Sequence, residues 1–454
     1  MRSWKLSPGL SVVWAAFAMS MLMAGTRAAA QSETVLYNFP SISTDGTFPE
    51  SGLILDAAGN LYGTASEGGA NGGGAVFEVT PTTGGGWTET TLFSFTYNLD
   101  NSGVAGANPY GRLIFDAAGK LYGTTAYGPY RAGTVFELTL AAGGGWDQKV
   151  VHAFGSYGTD GLFPNGGLIR DAAGNLYGTT IQGGAYNFGT VFELSPKKGG
   201  GWTEKILHSF DDNGKDAAYP SSSLIFDAAG NLYGVSSEGG IALSCTNEGA
   251  PVGCGAVFEL SPGTDGRWTE KVLQSFDHTG TNPWNPVGSL TIDARGNLYG
   301  TTQYGGTGLC ADQSETLGCG TVFELSPKVG KGWKETVLHN FGLNGTDGWY
   351  PSGGLIFDAA GNLYGPTPVG GNGRCVDVDG NLLGCGTVFE LSRQVGGGWT
   401  ETVIHDFQYN AMDGQGPNAP LIFDAAGNLF GTTTAGGDYG KFGQGQGTTF
   451  EITP

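Results

Sequence analysis

The stretch GGLIRDAAGNLYGTTIQGGAYNFGTVFELSPKKGGGWTEKILHSF, from Gly166 to Phe210, decides the fold. It divides into four strand-like pieces. LIRD leads into the turn AAG, and NLYGTT follows. A glycine-rich loop precedes GTVFELSP, and a GGGW turn introduces TEKILHSF. Short strands with turn signals at this spacing predict an all-β repeat. Four strands in a unit of about 40 residues or more is the pattern of a propeller blade. DAAGNLYG or a close variant opens at Asp56, Asp116, Asp171, Asp227, Asp293, Asp358 and Asp424, spaced 60, 55, 56, 66, 65 and 66 residues apart. Seven turns predict seven blades.

The turn explains its own residues. Glycine supplies positive φ between strands, and the aspartate bonds backbone N–H groups within the turn. The other reading of seven aspartates, a ring around a metal, is not needed to explain them. The chain ends complete the count. ETVLYNF (33–39) is a fourth strand with no blade before it, and GTTFEITP (447–454) is a third strand with nothing after it. Together they predict a closed seven-bladed β-propeller of four-stranded antiparallel blades, the N-terminal strand completing the last blade. Closure removes unpaired sheet edges.

Glycine, at 84 residues, is roughly three times its ordinary share of about 7%. It recurs at fixed repeat positions, which indicates turns. Residues 1–30 have the form of a signal peptide. Arg2 and Lys5 precede the apolar run SVVWAAFAMSMLMAG, and Ala28–Ala30 offer small-residue cleavage before Gln31. The expected division is therefore 1–30 signal peptide and 31–454 propeller, secreted or periplasmic, with no transmembrane segment after cleavage. The formal charge is −20, and losing Arg2, Lys5 and Arg27 makes it near −23. Such a surface repels nucleic acid and anionic lipid.

The units resemble the GloVer (Gloeo/Verruco) tandem repeats of secreted bacterial choice-of-anchor proteins. The resemblance rests on LIFDAAGNLYGTT, the GG after it, GTVFEL, GGGWTETVLHSF, and DG-x-x-P at Asp45–Pro49 and Asp160–Pro164. It spans residues 33–454 and implies the fold and export, but no activity.

Naming the strands A to D from the inside outward places the DAAGN and GGGW turns on one monotonous face. The B–C loops and D–A connections fall on the other, which holds nearly all the variation. Loops on a rigid scaffold usually carry function. Six cysteines lie there in blades 4, 5 and 6, and proximity pairs Cys245 with Cys254, Cys310 with Cys319 and Cys375 with Cys385. Disulfides are expected, because zinc would want C-x-x-C or a nearby histidine. The same loops carry Glu248, Asp312, Glu315, Asp377 and Asp379.

The D–A connections repeat an acid and an aromatic near proline: Asp45 with Phe48, Asp160 with Phe163, Asp216 with Tyr219, and Asp347 with Trp349. Trp284 takes that role in blade 5. Rings beside carboxylates suit a sugar, and they equally suit packing between blades. Asp377, Asp379 and Asn381 form one local calcium candidate, but Leu382 and Val388 break the EF-hand pattern. No other cofactor is expected.

His152, His208, His339 and His405 share one slot of strand D, which Tyr37, Phe93 and Gln274 fill elsewhere. That mixture sets the column aside as a ligand set. The inner strands read LIL, LIF, LIR, LIF, LTI, LIF and LIF, with only Arg170 and Thr291 departing. No catalytic residues are therefore expected. The reading is a monomeric, non-catalytic scaffold binding a glycan or protein at the cell envelope. The alternative is a propeller hydrolase or lyase with a metal near the axis.

Overall fold

A computed structural model describes residues 32–40, 44–96, 106–241, 244–247, 250–310, 318–328, 330, 332–343, 346–376, 380–410, 412–438 and 445–453. Among them, seven four-stranded antiparallel blades form a closed ring. Blade 3 runs from inner to outer as strands Ile169–Arg170, Leu176–Thr180, Thr190–Pro196 and Trp202–Ser209. Blade 7 takes its fourth strand from the other end of the chain. Ser32–Asn38 pairs with Thr448–Thr453, from Ser32 opposite Thr453 to Asn38 opposite Thr448. The predicted closure is present.

The turn chemistry is as expected. Asp227 Oδ1 accepts from the backbone of Ala229 and Asn231 at 2.8 and 2.9 Å, while Oδ2 accepts from Asn231 Nδ2 and Tyr233 OH at 2.8 and 3.1 Å. All seven aspartates accept the N–H four residues on. Blade 2 has Lys120 in place of asparagine, and its Nζ turns to Glu137 at 2.7 Å.

The core lies between blades. The strand D phenylalanine of each blade meets the strand C phenylalanine of the next, edge to face in Phe154–Phe192 at 5.0 Å and Phe210–Phe258 at 5.1 Å and tilted in Phe276–Phe323. The N-terminal strand joins in through Phe39–Phe77 at 4.9 Å. Glycine opening strand C lets this approach occur. A Cβ on Gly189, at φ +98°, would stand 2.7 Å from Cδ of Pro220 in the next blade. The tryptophans after the C–D turns are half-buried and pack on the preceding blade, Trp268 lying 6.4 Å from Tyr177.

A bulge in strand D has consequences for the site. Val191 pairs with His208 but Phe192 pairs with Ile206, leaving Leu207 as the extra residue. Adjacent Ile206 and Leu207 thus both reach the inter-blade core, and the histidine is re-aimed. The same irregularity occurs in every blade.

Candidate functional site

The inner strands and the segments before them surround a central cavity of about 810 Å³. Its walls carry Ile and Leu side chains with Arg112, Arg170, Thr291 and one carboxylate, Glu50. Arg112 Nε donates to the carbonyl of Leu53 at 3.1 Å. Burial holds the Arg112 guanidinium below its ordinary pKa and pushes the Glu50 carboxyl up.

Several D–A connections contain short strand pairs. Gly161–Leu162 pairs with Gln182–Gly183, and Gly348–Trp349 with Val369–Gly370. Phe48, Phe163 and Tyr219, each before a proline, have φ of +56°, +59° and +55°, and Asn108, Asn285 and Tyr350 take the same place in other blades. Left-handed backbone at an aromatic residue is strained. Two bonds offset it: the Phe163 N–H donates to Ala132 of the preceding blade at 2.9 Å, and its carbonyl accepts from Ile181 at 3.2 Å. These rings are half-buried and Trp349 is buried. Half-buried Trp284 stacks on Tyr304 at 4.5 Å. Phe163 and Trp349 pack between blades, while the Trp284–Tyr304 contact lies within blade 5.

Exposed rings stand elsewhere. Tyr157, 48% exposed, and Tyr186, 55% exposed, line a cleft of about 560 Å³ with Asp160, at the junction of blades 2 and 3. Tyr127 lies beside it, 6.0 Å from Phe163. The sequence reading missed these tyrosines because they occur once each in variable loops, outside the repeat pattern.

The acids of the connections lead to a second feature. Asp160, Asp216 and Asp347 each meet a strand D histidine of the preceding blade and a strand D glutamate of their own blade. The groups are His152–Asp160–Glu204, His208–Asp216–Glu270 and His339–Asp347–Glu401. A fourth, His405–Asp413–Glu33, uses the N-terminal strand. The discounted histidine column thus faces two carboxylates in every seam where it occurs. His208 Nε2 lies 2.9 Å from Asp216, and His339 Nε2 3.0 Å from Asp347. In the seam between blades 7 and 1, Tyr37 OH donates to Asp45 at 2.5 Å. Between blades 4 and 5, Gln274 Nε2 donates to Glu335 at 2.6 Å. Burial, reinforced by Asp413 and Asp216 respectively, pushes the Glu33 carboxyl up to about 7 and Glu270 up to about 8.

The three cysteine pairs are disulfides as expected from proximity. Glu248, Asp312, Glu315, Asp377 and Asp379 lie outside the described residues, as does the segment 1–30. Asn381 is exposed. Among the described residues no helix is long and apolar enough to cross a membrane.

Closed ring, inter-blade core and loop face define a seven-bladed β-propeller built from tandem repeats. The chain belongs to the family described as the Gloeobacter/Verrucomicrobia repeat, whose pattern matches residues 22–169, 129–246 and 242–454. No curated protein matches it. Among solved structures it is similar to an ancestral GH74 enzyme, with 13% identity and a TM-score of 0.53, over 90% of this chain and 48% of that one. The chain therefore spans about half the length of that enzyme. A PL25 ulvan lyase bound to -[GlcA(1-4)Rha3S]- has 10% identity and a TM-score of 0.53, over 92% and 95%. A copper-bound fungal alcohol oxidase of the AA5 family has 13% identity and a TM-score of 0.53, over 94% and 77%. At these identities the likeness is one of fold.

Proposed function

We propose that this protein is a non-catalytic binding propeller, exported to the extracellular or periplasmic space, whose variable face holds a glycan. The observation that carries the reading is the cleft between blades 2 and 3, flanked by the exposed rings of Tyr157 and Tyr186. A ring offers an apolar plane to the C–H face of a sugar. A cleft of about 560 Å³ is within the usual range for small ligands. Three disulfides fit an oxidising compartment. A protein partner on the same face is the other form of this reading.

The second reading, a hydrolase or lyase at the axis, draws on the central cavity and on the fold shared with a glycoside hydrolase and a polysaccharide lyase. Glycoside hydrolysis ordinarily uses two carboxyl groups, and Glu50 alone lines the cavity among the described residues. We therefore rank it second. The test is a glycan array on the mature protein, followed by calorimetry with the best hit. Tyr186→Ala, alone and with Tyr157→Ala, should weaken binding at least about tenfold, a loss of about 1.4 kcal/mol, with little change in Tm for the single variant. Undiminished binding in the double variant would remove the cleft from the proposal, and turnover of the glycan would favour the second reading.

A further inference from the structure

The seam between blades 2 and 3 holds three polar atoms that no described residue satisfies. They are His152 Nε2, Asp160 Oδ1 and Glu204 Oε1, all buried and without a hydrogen-bond partner. The Asp160 side chain is 0% exposed and that of Glu204 5%. Their other oxygens are occupied. Asp160 Oδ2 accepts from the N–H and hydroxyl of Ser156 at 3.0 and 3.1 Å, and Glu204 Oε2 accepts from Tyr157 OH. The second oxygens are thereby fixed toward His152. Buried polar atoms are almost always paired, so three orphans facing one another point to a missing occupant.

Besides a buried water, two occupants satisfy such a group. One is a proton shared between the carboxyls. That leaves the imidazole nitrogen 3.5 Å from each oxygen, too far for a good hydrogen bond. The other is a cation bound by all three atoms. Ligands about 2.1 Å from a tetrahedral zinc stand about 3.4 Å from each other. The two separations from His152 Nε2, 3.5 Å each, match that edge. One imidazole nitrogen with two carboxylate oxygens suits a borderline divalent ion of the zinc class better than calcium, which takes oxygen ligands in larger number.

We propose that the His152–Asp160–Glu204 seam is a binding site for a zinc-class divalent cation, and that the three other His–Asp–Glu seams are sites of the same chemistry. The bound ion links three pieces of chain: strand D of one blade, the connection after it, and strand D of the next. It is a clip between adjacent blades. The other seams support a repeated design. Asp347 Oδ1, with its side chain 0% exposed, and Glu401 Oε1 are orphaned, as are Glu270 Oε1 and Glu33 Oε1. His405 also stands 3.5 Å from its aspartate. In the two seams with His–Asp contacts of 2.9 and 3.0 Å, the imidazole–carboxylate bond must open for the ion to enter.

The test uses the mature protein stripped with a chelator, then dialysed against zinc, with metal counted by plasma emission and located by anomalous scattering at the zinc edge. The expected result is a peak within bonding distance of His152 Nε2 and up to about four equivalents per chain. Asp160→Asn with Glu204→Gln, both close in shape to the parent residues, should remove one equivalent. Asp45→Asn, in the tyrosine seam, should remove none and checks that folding survives a seam substitution. Zinc should raise the Tm of the parent more than that of the double variant. An absent peak at His152, an unchanged count in the double variant, or calcium bound there in preference to zinc would overturn the assignment. None of these readouts involves a glycan, so the proposed function stands or falls separately.

Discussion

Glu335 and Asp227 are both acids of the repeat, yet their surroundings push them in opposite directions. Burial works against the charge of Asp227, but the bonds from Asn231, Tyr233 and Ala229 outweigh it and hold the carboxyl below its ordinary value. Glu335 has one donor, Gln274, while its Oε1 has none. Burial first, and then the charge of Asp277, push its carboxyl up to about 7. The pH consequence follows in sign. A folded-state pKa raised from 4.5 contributes stability fully present below about 4.5 and lost as pH rises through about 7. Glu335→Gln keeps an acceptor for Gln274 and removes the ionisation. We expect a gain of about 2 kcal/mol over the parent at pH 8, with the difference vanishing near pH 4.5. Melting curves at the two pH values check it, and a gain independent of pH would exclude ionisation as its cause.

Strand Ser32–Asn38 does more than cover an edge. It pairs along its whole length with Thr448–Thr453, sends Phe39 against Phe77 of blade 1, and brings Glu33 to the seam of His405 and Asp413. Deleting residues 32–39 exposes the outer edge of blade 7 and the blade 1 core at once. The expected outcome is aggregation, or a fall in Tm of more than about 10 °C, given several kcal/mol for each buried phenylalanine lost. A deletion variant that melts with the parent would show that the strand is dispensable. This strand was legible in the sequence because its alternation and its LYNF ending copy strand D. The cysteine pairs were legible too, since separations of 9 and 10 residues favour local bridges. The bulge at Leu207 was not, because LHSF gives no local sign that two successive residues turn the same way. The seam groups were missed for a related reason. His152 and Glu204 are 52 residues apart, and the histidine column looked unselective when read alone. Read with its glutamate slot, every histidine of the column faces a glutamate of the next blade, and where Phe93 stands instead the next blade has Gln148, although Tyr37 and Gln274 are followed by Glu89 and Glu335.

The seven seams of the ring share one core packing, and the chain ends meet inside blade 7, between its third and fourth strands. Threonine 453 ends strand C of blade 7 opposite Ser32 at the start of strand D. In the other blades those positions are joined by a short glycine-rich turn, such as residues 196–202 between Ser195 and Thr203. The covalent break is therefore a matter of connectivity, while the packing there matches other seams, as the 4.9 Å Phe39–Phe77 and 5.0 Å Phe154–Phe192 contacts illustrate. A circular permutant follows from this. Residues 32–40 are moved behind Thr453 through a Pro-Lys-Lys-Gly-Gly-Gly-Trp turn copied from blade 3, and the new chain begins at Thr44. Every backbone pairing of blade 7 is kept, and its outer hairpin becomes local, which lowers the entropy cost of closing the ring. The permutant should fold to a monomer of unchanged circular dichroism, with a Tm within about 5 °C of the parent and faster refolding, since the last blade no longer waits for the two ends of the chain to meet. Refolding no faster than the parent would mean that ring closure is not the slow step. A soluble permutant with a much lower Tm would mean that the connection between blades 7 and 1, cut in this variant, contributes stability of its own through Asp45 and Tyr37.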